Sequence, residues 1–348
     1  MSGITASLGL NVASSGRGTE RFRRAAELVA RADAAGFDGV WTGELYNRSA
    51  TIAMANFALA SKRVRIGSNI AYGVGRSPLI WAAEARDLDE MSGGRLRLGL
   101  GNGTSGMMEN WHGVDGTAPA ERMAELIEVI RKLWRLDQGP VDHEGRFYRV
   151  HLKPTTDTPP PLQEHLPIWI AGVNPRMVAV AGRSADGLIG HPMYTGDYVR
   201  EVVRPAVDAA AAAEGRSPGD LTMMGILMCK VTHDVELGRR QLAYAIAQYA
   251  ASKVYDRLFE LHGWGADQAR IREAARERDV DAMVAAVPDA AIDAIGVVCR
   301  PGELVSRVAE HAVDYDHLSL TGVPWGVDPV QAETDAWSIL TEVESAAR

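Results

Sequence analysis

The sequence predicts an α/β protein built as a (β/α)8 TIM barrel with insertions. Short apolar segments alternate with amphipathic helical patterns through most of the 348 residues. Such alternation is typical of parallel strands joined by helical crossovers. About eight strand-helix units fit one barrel with a core of roughly 250 residues. A doubly wound open sheet would give the same alternation and is the alternative that the pattern leaves open.

The elements follow from apolar periodicity and from glycine and proline positions. Predicted strands span residues 4–12, 37–42, 64–67, 95–100, 167–171, 187–190, 221–231 and 317–321. Predicted helices span residues 20–35, 51–60, 78–92, 119–136, 175–183, 197–213, 235–252, 301–312 and 329–346. Residues 253–300 are mostly helical and polar, without clear strands. We expect a single domain, 1–348, with insertions near 104–118, 138–165 (a small hairpin within 143–153) and 251–300.

Composition excludes several classes of function. The net charge of −8 and the acidic balance argue against a nucleic-acid partner. No apolar run approaches the roughly 20 residues that span a bilayer, and the start of the chain has no signal-peptide pattern, so we expect a cytoplasmic protein without a membrane partner. Cys229 and Cys299 make no disulfide framework. No cluster has metal-ligand spacing, so we expect no metal site, and redox chemistry would need an organic cofactor.

The stretch from Val64 to Gly106 is the most informative part of the chain. It contains a strand, a helix that Pro78 begins and Gly93-Gly94 ends, and a second strand that enters a glycine-rich loop. Small and polar residues follow both strands. Backbone exposed in this way would suit a flat ligand.

The same stretch carries a family resemblance. The run LDEMSGGRLRLGLGNG resembles the corresponding segment of the luciferase-like flavin and deazaflavin oxidoreductases. The resemblance extends from the first strand to the last helix and favours the barrel over the open sheet. It implies that coenzyme F420 lies against Ser68, Asn69, Ile70 and Ala71, and that the Asn69–Ile70 peptide bond is cis, which is rare between non-proline residues.

Glu44 follows the second strand, where many relatives have an acidic residue or a histidine near the reactive ring. A carboxyl facing an apolar pocket would have a raised pKa and could pass protons. A salt bridge to a neighbour such as Arg48 is the structural alternative. Gly43-Glu44 departs from the Asp-His of the sugar-phosphate dehydrogenases in this superfamily.

The segment Gly101-Asn102-Gly103-Thr104-Ser105-Gly106 matches G-x-G-x-x-G, but it follows a fourth strand rather than a first one. We therefore reject a dinucleotide fingerprint. We expect Gly101, Asn102 and Gly103 to let the backbone approach the cofactor ring. A loop should then follow before any helix, with Met107, Trp111 and His112 lining a substrate pocket or packing the loop down. Sugar-phosphate dehydrogenases of the superfamily have a glutamate where Thr104 stands, which argues against that substrate class.

The turn after the fifth strand is a candidate phosphate site. Asn174 is a candidate N-cap, Pro175 fits the first helical position, and exposed backbone at a helix start can bind an anion. The family resemblance places the cofactor phosphate here, at Gly172, Val173 and Asn174. Arg176 could meet the acidic tail of F420 or be an ordinary surface charge.

Two further strand ends supply candidate residues. His191 follows the sixth strand and could contact the ligand or make a structural hydrogen bond. Trp325 follows the eighth strand and could line the substrate pocket or simply pack against neighbouring residues.

The sequence thus predicts an F420-dependent oxidoreductase that moves a hydride to or from a small organic substrate, with Glu44 and His191 orienting that substrate or exchanging its proton. The first alternative is a two-component monooxygenase that receives reduced FMN from a partner reductase, with residues 253–285 as an ordered lid. The second is a flavin-binding barrel without turnover. The resemblance also implies a homodimer or larger assembly.

Overall fold

The computed structural model describes residues 4–347. The strands are β1 (Ser7–Asn11), β2 (Gly39–Thr42), β3 (Arg65–Ser68), β4 (Ala71–Tyr72), β5 (Leu96–Gly101), β6 (Val141–Glu144), β7 (Arg149–Leu152), β8 (Ile168–Ala171), β9 (Gly187–Ile189), β10 (Thr222–Val231), β11 (Gly296–Cys299) and β12 (His317–Thr321). All eight predicted strands are confirmed.

Helices alternate with these strands as predicted. They are α1 (Gly18–Ala35), α2 (Ala50–Ala60), α3 (Pro78–Ser92), α4 (Ser105–His112), α5 (Pro119–Trp134), α6 (Pro175–Ser184), α7 (Gly196–Tyr198), α8 (Arg204–Ala213), α9 (Val235–Ala250), α10 (Asp256–Leu261), α11 (Gly265–Glu277), α12 (Val280–Ala285), α13 (Asp289–Ile295), α14 (Leu304–His311) and α15 (Pro329–Ala346). The described residues pack as two compact units.

The first unit comprises residues 4–37, 190–205 and 223–347. Its strands are parallel in the order β11-β10-β12-β1, with Ser7 opposite His317 and Met224 opposite the same histidine. β11 corrects the prediction that residues 253–300 contain no strand. Its four residues, GVVC, pair with the end of β10, and their shortness after a long helical pattern hid them in the sequence.

The second unit comprises residues 38–189 and 206–222. Its strands are parallel in the order β2-β3-β5-β8-β9, and β4 also pairs with β5. The predicted hairpin is confirmed as antiparallel β6 and β7. The expectation of a loop without a helix after Gly106 is wrong, because α4 begins at Ser105 with Thr104 as its N-cap.

Two tryptophans and two glycines share the interior of the second unit. The rings of Trp41 and Trp169 stack with centroids 5.1 Å apart. A Cβ atom on Gly67 would lie 2.2 Å from the Trp41 ring, and one on Gly187 would lie 2.7 Å from the Trp169 ring. Glycine at both strand positions is therefore required by the volume of the neighbouring ring.

A buried ion pair joins strand and helix in the first unit. Lys230 on β10 donates to Oδ1 of Asp335 on α15 at 2.8 Å, and the two side chains are only 7% and 3% exposed. Gln331 donates to the same oxygen at 2.9 Å. Removing one partner of such a pair leaves a buried charge without compensation, which costs far more than losing an exposed pair.

We expect Lys230→Met to lower the free energy of unfolding by about 3 kcal/mol, because the Asp335 carboxylate loses its cation. Urea denaturation followed by circular dichroism measures this change. The control is Arg240→Met, which breaks the exposed Arg240–Asp281 pair of the same unit and should cost less than about 1 kcal/mol. Equal effects of the two substitutions would contradict the argument.

Candidate active site

The end of β3 is tied to the end of β2 by backbone hydrogen bonds. The amide of Asn69 donates to the Thr42 carbonyl at 2.9 Å, and the amide of Glu44 donates to the Ile70 carbonyl at 2.8 Å. The Asn69–Ile70 peptide bond is cis, as the family resemblance implied. β4 continues beyond it and pairs with the end of β5, so the predicted cofactor segment lies beside the glycine-rich loop.

Glu44 connects the strand ends of this region through the hydrogen bonds of its carboxylate. Its Oε2 accepts hydrogen bonds from the Tyr72 amide at 2.9 Å and from Nη1 of Arg76 at 3.1 Å, while its Oε1 accepts from Nη2 of Arg76 at 2.8 Å. The side chains of Glu44 and Arg76 are 9% and 16% exposed. Arg76 also pairs with Glu84 and lies over the Trp81 ring.

The expectation that the pKa of Glu44 is raised is therefore wrong. Burial alone would raise its pKa, but the hydrogen bonds from Arg76 and the Tyr72 amide outweigh burial and lower it. The partner is Arg76 rather than Arg48, whose guanidinium instead donates to the Asn47 carbonyl. A carboxylate with a lowered pKa stays ionised at neutral pH, and here it binds the Tyr72 amide and the Arg76 guanidinium.

Two asparagines near the strand ends carry buried polar atoms without partners. Neither Oδ1 nor Nδ2 of Asn69 has a hydrogen-bond partner among the described residues. Asn102 is 3% exposed and donates from Nδ2 to the Pro119 carbonyl, which leaves its Oδ1 unpaired. Unpaired buried polar atoms are uncommon and often mark a functional site.

Other members of the predicted cofactor set are structural in this unit. Ser68 and Ala71 are 0% exposed, and the Ser68 hydroxyl donates to the Gly99 carbonyl at 2.7 Å. They support the strand ends and offer no surface to a ligand, which corrects the expectation of direct contact.

Packing within the protein also requires the glycines after β5. A Cβ on Gly101 would lie 3.0 Å from Cγ1 of Ile70. Gly103 has φ of +68°, and a Cβ there would lie 2.9 Å from Sδ of Met107. The loop thus packs on Ile70 and Met107, and the expected approach of bare backbone to a cofactor ring stays a prediction.

The predicted pocket residues on α4 belong to an aromatic cluster. The ring of Trp111 contacts Tyr72 and Tyr46 edge-on, with centroids 6.1 Å and 5.6 Å apart. The His112 ring lies 5.0 Å from Tyr72, and its Nε2 is buried without a hydrogen-bond partner. Trp111 remains 44% exposed, so it could contact a ligand.

The turn after β8 has the predicted helix start. Asn174 caps α6 by accepting a hydrogen bond from the Met177 amide at 3.0 Å, and Pro175 occupies the first turn. A Cβ on Gly172 would lie 3.2 Å from the Val178 backbone nitrogen. Val173 is half-buried and Arg176 is exposed. The amides of Met177 and Val178 donate to the side chain and the carbonyl of Asn174, and the Arg176 side chain beside them is exposed. Anion binding at this helix start stays a prediction.

In the first unit, His191 lies in an aromatic cluster. Its Nδ1 accepts a hydrogen bond from the Met193 amide at 3.2 Å, and its Nε2 lies 2.9 Å from the Tyr255 hydroxyl. The Tyr249 ring contacts His191 edge-on at 4.7 Å and Trp325 at 5.8 Å. Burial lowers the pKa of His191 to about 3, so the ring is neutral at physiological pH.

Both ring nitrogens of His191 therefore have partners among the described residues, which is the structural alternative that the sequence left open. Direct contact of His191 with a ligand stays a prediction. Sequence reasoning missed Arg76, Tyr249 and Tyr255. Tyr249 lies just before the predicted polar insertion, and Tyr255 lies within it, six residues further on. Only their aromatic character in a polar segment could have indicated a functional role.

A surface groove of about 1040 Å³ lies elsewhere in the second unit, lined by α5, the β6–β7 hairpin and the end of α6. Several charged side chains along it form ion pairs, as in Arg131–Asp186 and Lys132–Glu128, and His143 lies within hydrogen-bond distance of Glu125. None of the predicted site residues lines it.

Two predicted absences concern the described part of the chain. Within residues 4–347, no three His, Cys, Asp or Glu side chains are grouped so that they could hold a metal ion. In the same range, no helix combines the length and apolar character needed to cross a membrane.

The fold has solved counterparts. The coenzyme F420-dependent tetrahydromethanopterin reductase of Methanopyrus kandleri superposes with a TM-score of 0.77 at 22% identity, covering 99% of both chains. The oxygenating constituent of 3,6-diketocamphane monooxygenase of Pseudomonas putida, solved with FMN, superposes with a TM-score of 0.67 at 16% identity, covering 98% of this chain and 99% of that one. The fold is the predicted (β/α)8 barrel.

Sequence comparison gives the family. A phthiodiolone/phenolphthiodiolone dimycocerosates ketoreductase of Mycobacterium bovis is 30% identical, over 73% of this chain and 68% of the relative. The protein is an oxidoreductase. The chain belongs to the luciferase-like monooxygenase family, whose model matches residues 2–315.

The lowered pKa of Glu44 predicts an acid-dependent loss of stability. A carboxylate with a lowered folded-state pKa stabilises the fold above its unfolded pKa of about 4.3, and this contribution is lost as the pH falls through the folded value. Between pH 6 and pH 3, the thermal unfolding temperature of the wild type should fall more steeply than that of Glu44→Gln. Glu128→Gln, at an exposed carboxylate, should keep the wild-type slope. Parallel curves for wild type and Glu44→Gln would refute the assignment.

Proposed function

We propose that the protein transfers a hydride between coenzyme F420 and an uncharged organic substrate. The observation that carries this proposal is the Asn69 side-chain amide, which has a buried donor and a buried acceptor without partners. The pyrimidine edge of a deazaflavin alternates carbonyl and N–H groups and would pair with one such amide. Polar atoms left unpaired in the free protein favour a ligand that satisfies them.

The residues that would hold the cofactor follow from the geometry of the second unit. The ring would lie against Asn69 and Ile70 and beside the loop of Gly101, Asn102 and Gly103. The phosphate would bind at the start of α6, near Gly172 and Val173, with Arg176 meeting the acidic tail. Bound F420 supplies the hydride chemistry that this chain lacks.

The chain's own groups would position rather than react. Glu44 fixes the Tyr72 amide and Arg76, so the backbone around the ring site is set before the ligand arrives. His191 is neutral and would act on the substrate through its neighbour Tyr255. Support for a reductive reaction comes from the relatives, since one is an F420-dependent reductase and another a ketoreductase.

The second candidate is an FMN-dependent monooxygenase with a partner flavin reductase. One observation favours it. Residues 253–285, expected as an ordered lid in that reaction, form α10, α11 and α12, and they bury Phe259 and Ile271 completely. The diketocamphane monooxygenase holds FMN on the same fold. Cofactor affinity separates the two candidates.

Titration of the purified protein with F420 and with FMN, followed by fluorescence quenching, tests the cofactor. We expect micromolar or tighter binding of F420 and weaker binding of FMN. Asn69→Ala should raise the Kd for F420 about fivefold, since one lost hydrogen-bonding group is worth about 1 kcal/mol.

The matched control is Asn110→Ala on α4, whose exposed amide bonds only the Gly106 carbonyl, and which should bind F420 normally. Tighter binding of FMN than of F420, with oxygen consumed on reduction, would replace the first candidate by the second. Absence of binding to either would refute both.

We also propose that a second copy of the chain covers α2. This helix, ATIAMANFALA, has no charged residue, yet Ile52 and Leu59 are 57% and 75% exposed. A helix that is apolar on all sides is normally buried on all sides. An identical apolar face supplies a self-complementary surface across a two-fold axis.

We expect Leu59→Glu to convert a dimer into a monomer, because it would place two carboxylates in the apolar contact. Light scattering coupled to size exclusion measures the mass. Leu162→Glu, at another leucine exposed by 61%, should leave the dimer intact. A wild-type protein that is monomeric at all concentrations would disprove the proposal.

A further inference from the structure

We propose that Tyr255 donates a hydrogen bond to the oxygen of a carbonyl or hydroxyl substrate, and that His191 is the positioning residue that aims it. The proposal rests on the proposed function for the reaction, but its geometry belongs to the first unit alone.

The hydrogen-bond pattern determines the positions of the His191 ring proton and the Tyr255 hydroxyl proton. A neutral imidazole has one donor nitrogen and one acceptor nitrogen. The Met193 amide donates to Nδ1 of His191 at 3.2 Å, so the ring proton is on Nε2. Nε2 therefore donates to the Tyr255 hydroxyl oxygen at 2.9 Å. Since this bond uses the oxygen as an acceptor, the hydroxyl proton of Tyr255 must point to another atom.

No acceptor receives that proton within residues 4–347. The Tyr255 hydroxyl makes no other hydrogen bond there, although the side chain is only 8% exposed. A phenol donor left unused in a nearly buried setting is a group prepared for a ligand. The burial of His191 keeps the ring uncharged at neutral pH, which preserves the acceptor role of Nδ1.

The surroundings select the substrate. Tyr249 lies edge-on to His191 and to Trp325. No charged side chain belongs to this cluster of His191, Tyr249, Tyr255 and Trp325, so a neutral molecule with an apolar or aromatic body fits it. When a hydride adds to a carbonyl carbon, negative charge develops on its oxygen, and a fixed O–H donor stabilises that charge.

Acetophenone, a neutral aromatic ketone, is the probe. Its carbonyl stretch, isolated by ¹³C labelling in difference infrared spectra, shifts to lower wavenumber when the oxygen accepts a hydrogen bond. With the full-length protein and F420, we expect a shifted band for the wild type and an unshifted band for bound ketone in Tyr255→Phe. Tyr198→Phe, another buried tyrosine of this unit that does not touch His191, should match the wild type.

His191 variants provide the second readout. His191→Gln keeps an N–H that can reach the Tyr255 oxygen and should restore part of the shift, whereas His191→Phe should broaden or abolish it. With a ketone that is turned over, Tyr255→Phe should lower kcat/KM roughly 100-fold and leave the Kd for F420 unchanged.

The outcomes separate the two proposals. An equal band shift in wild type and Tyr255→Phe, or failure of the wild type to bind the ketone, would overturn the role of Tyr255. If F420 does not bind but the ketone band still depends on Tyr255, the proposed function fails while this inference stands.

Discussion

The two hydrogen bonds from Arg76 to the Glu44 carboxylate are the constraint on which the second unit's strand ends depend. They join the turn after β2 to the segment after β4, and the same carboxylate also accepts a hydrogen bond from the Tyr72 amide. Water screens the attraction between the Arg76 and Glu44 charges only weakly, because neither side chain is well exposed. The predicted cofactor segment between them is therefore stabilised by a buried ion pair within the protein.

Sequence patterns predicted the scaffold because they depend on neighbours in the chain. Pro78 and Gly93 bound α3, Asn174 caps α6, and the alternation of strands and helices predicted the barrel. β11 was missed because four apolar residues after a helix carry too little periodicity. The helix α4 was missed because its cap, Thr104, lies within a glycine-rich run that indicates a loop.

The side-chain partners could not be predicted in the same way. Glu44 and Arg76 are 32 residues apart, and His191 and Tyr255 are 64 apart. No local period links such pairs, so Glu44 was assigned a proton-passing role from its position alone. Only the partner decides whether a buried carboxyl has a raised or a lowered pKa. The same holds for His191, whose partner Tyr255 no local pattern could indicate.

The polar atoms without partners indicate the ligand more specifically than the paired ones do. Among residues 4–347, the Asn69 amide and the Tyr255 hydroxyl proton have no partners, although burying such groups costs free energy. A ligand that satisfies them recovers that cost upon binding, whereas a ligand without matching polar atoms does not. The selectivity of this protein should therefore come from neutral donors and acceptors, which discriminate by the position of an oxygen or an N–H group rather than by charge.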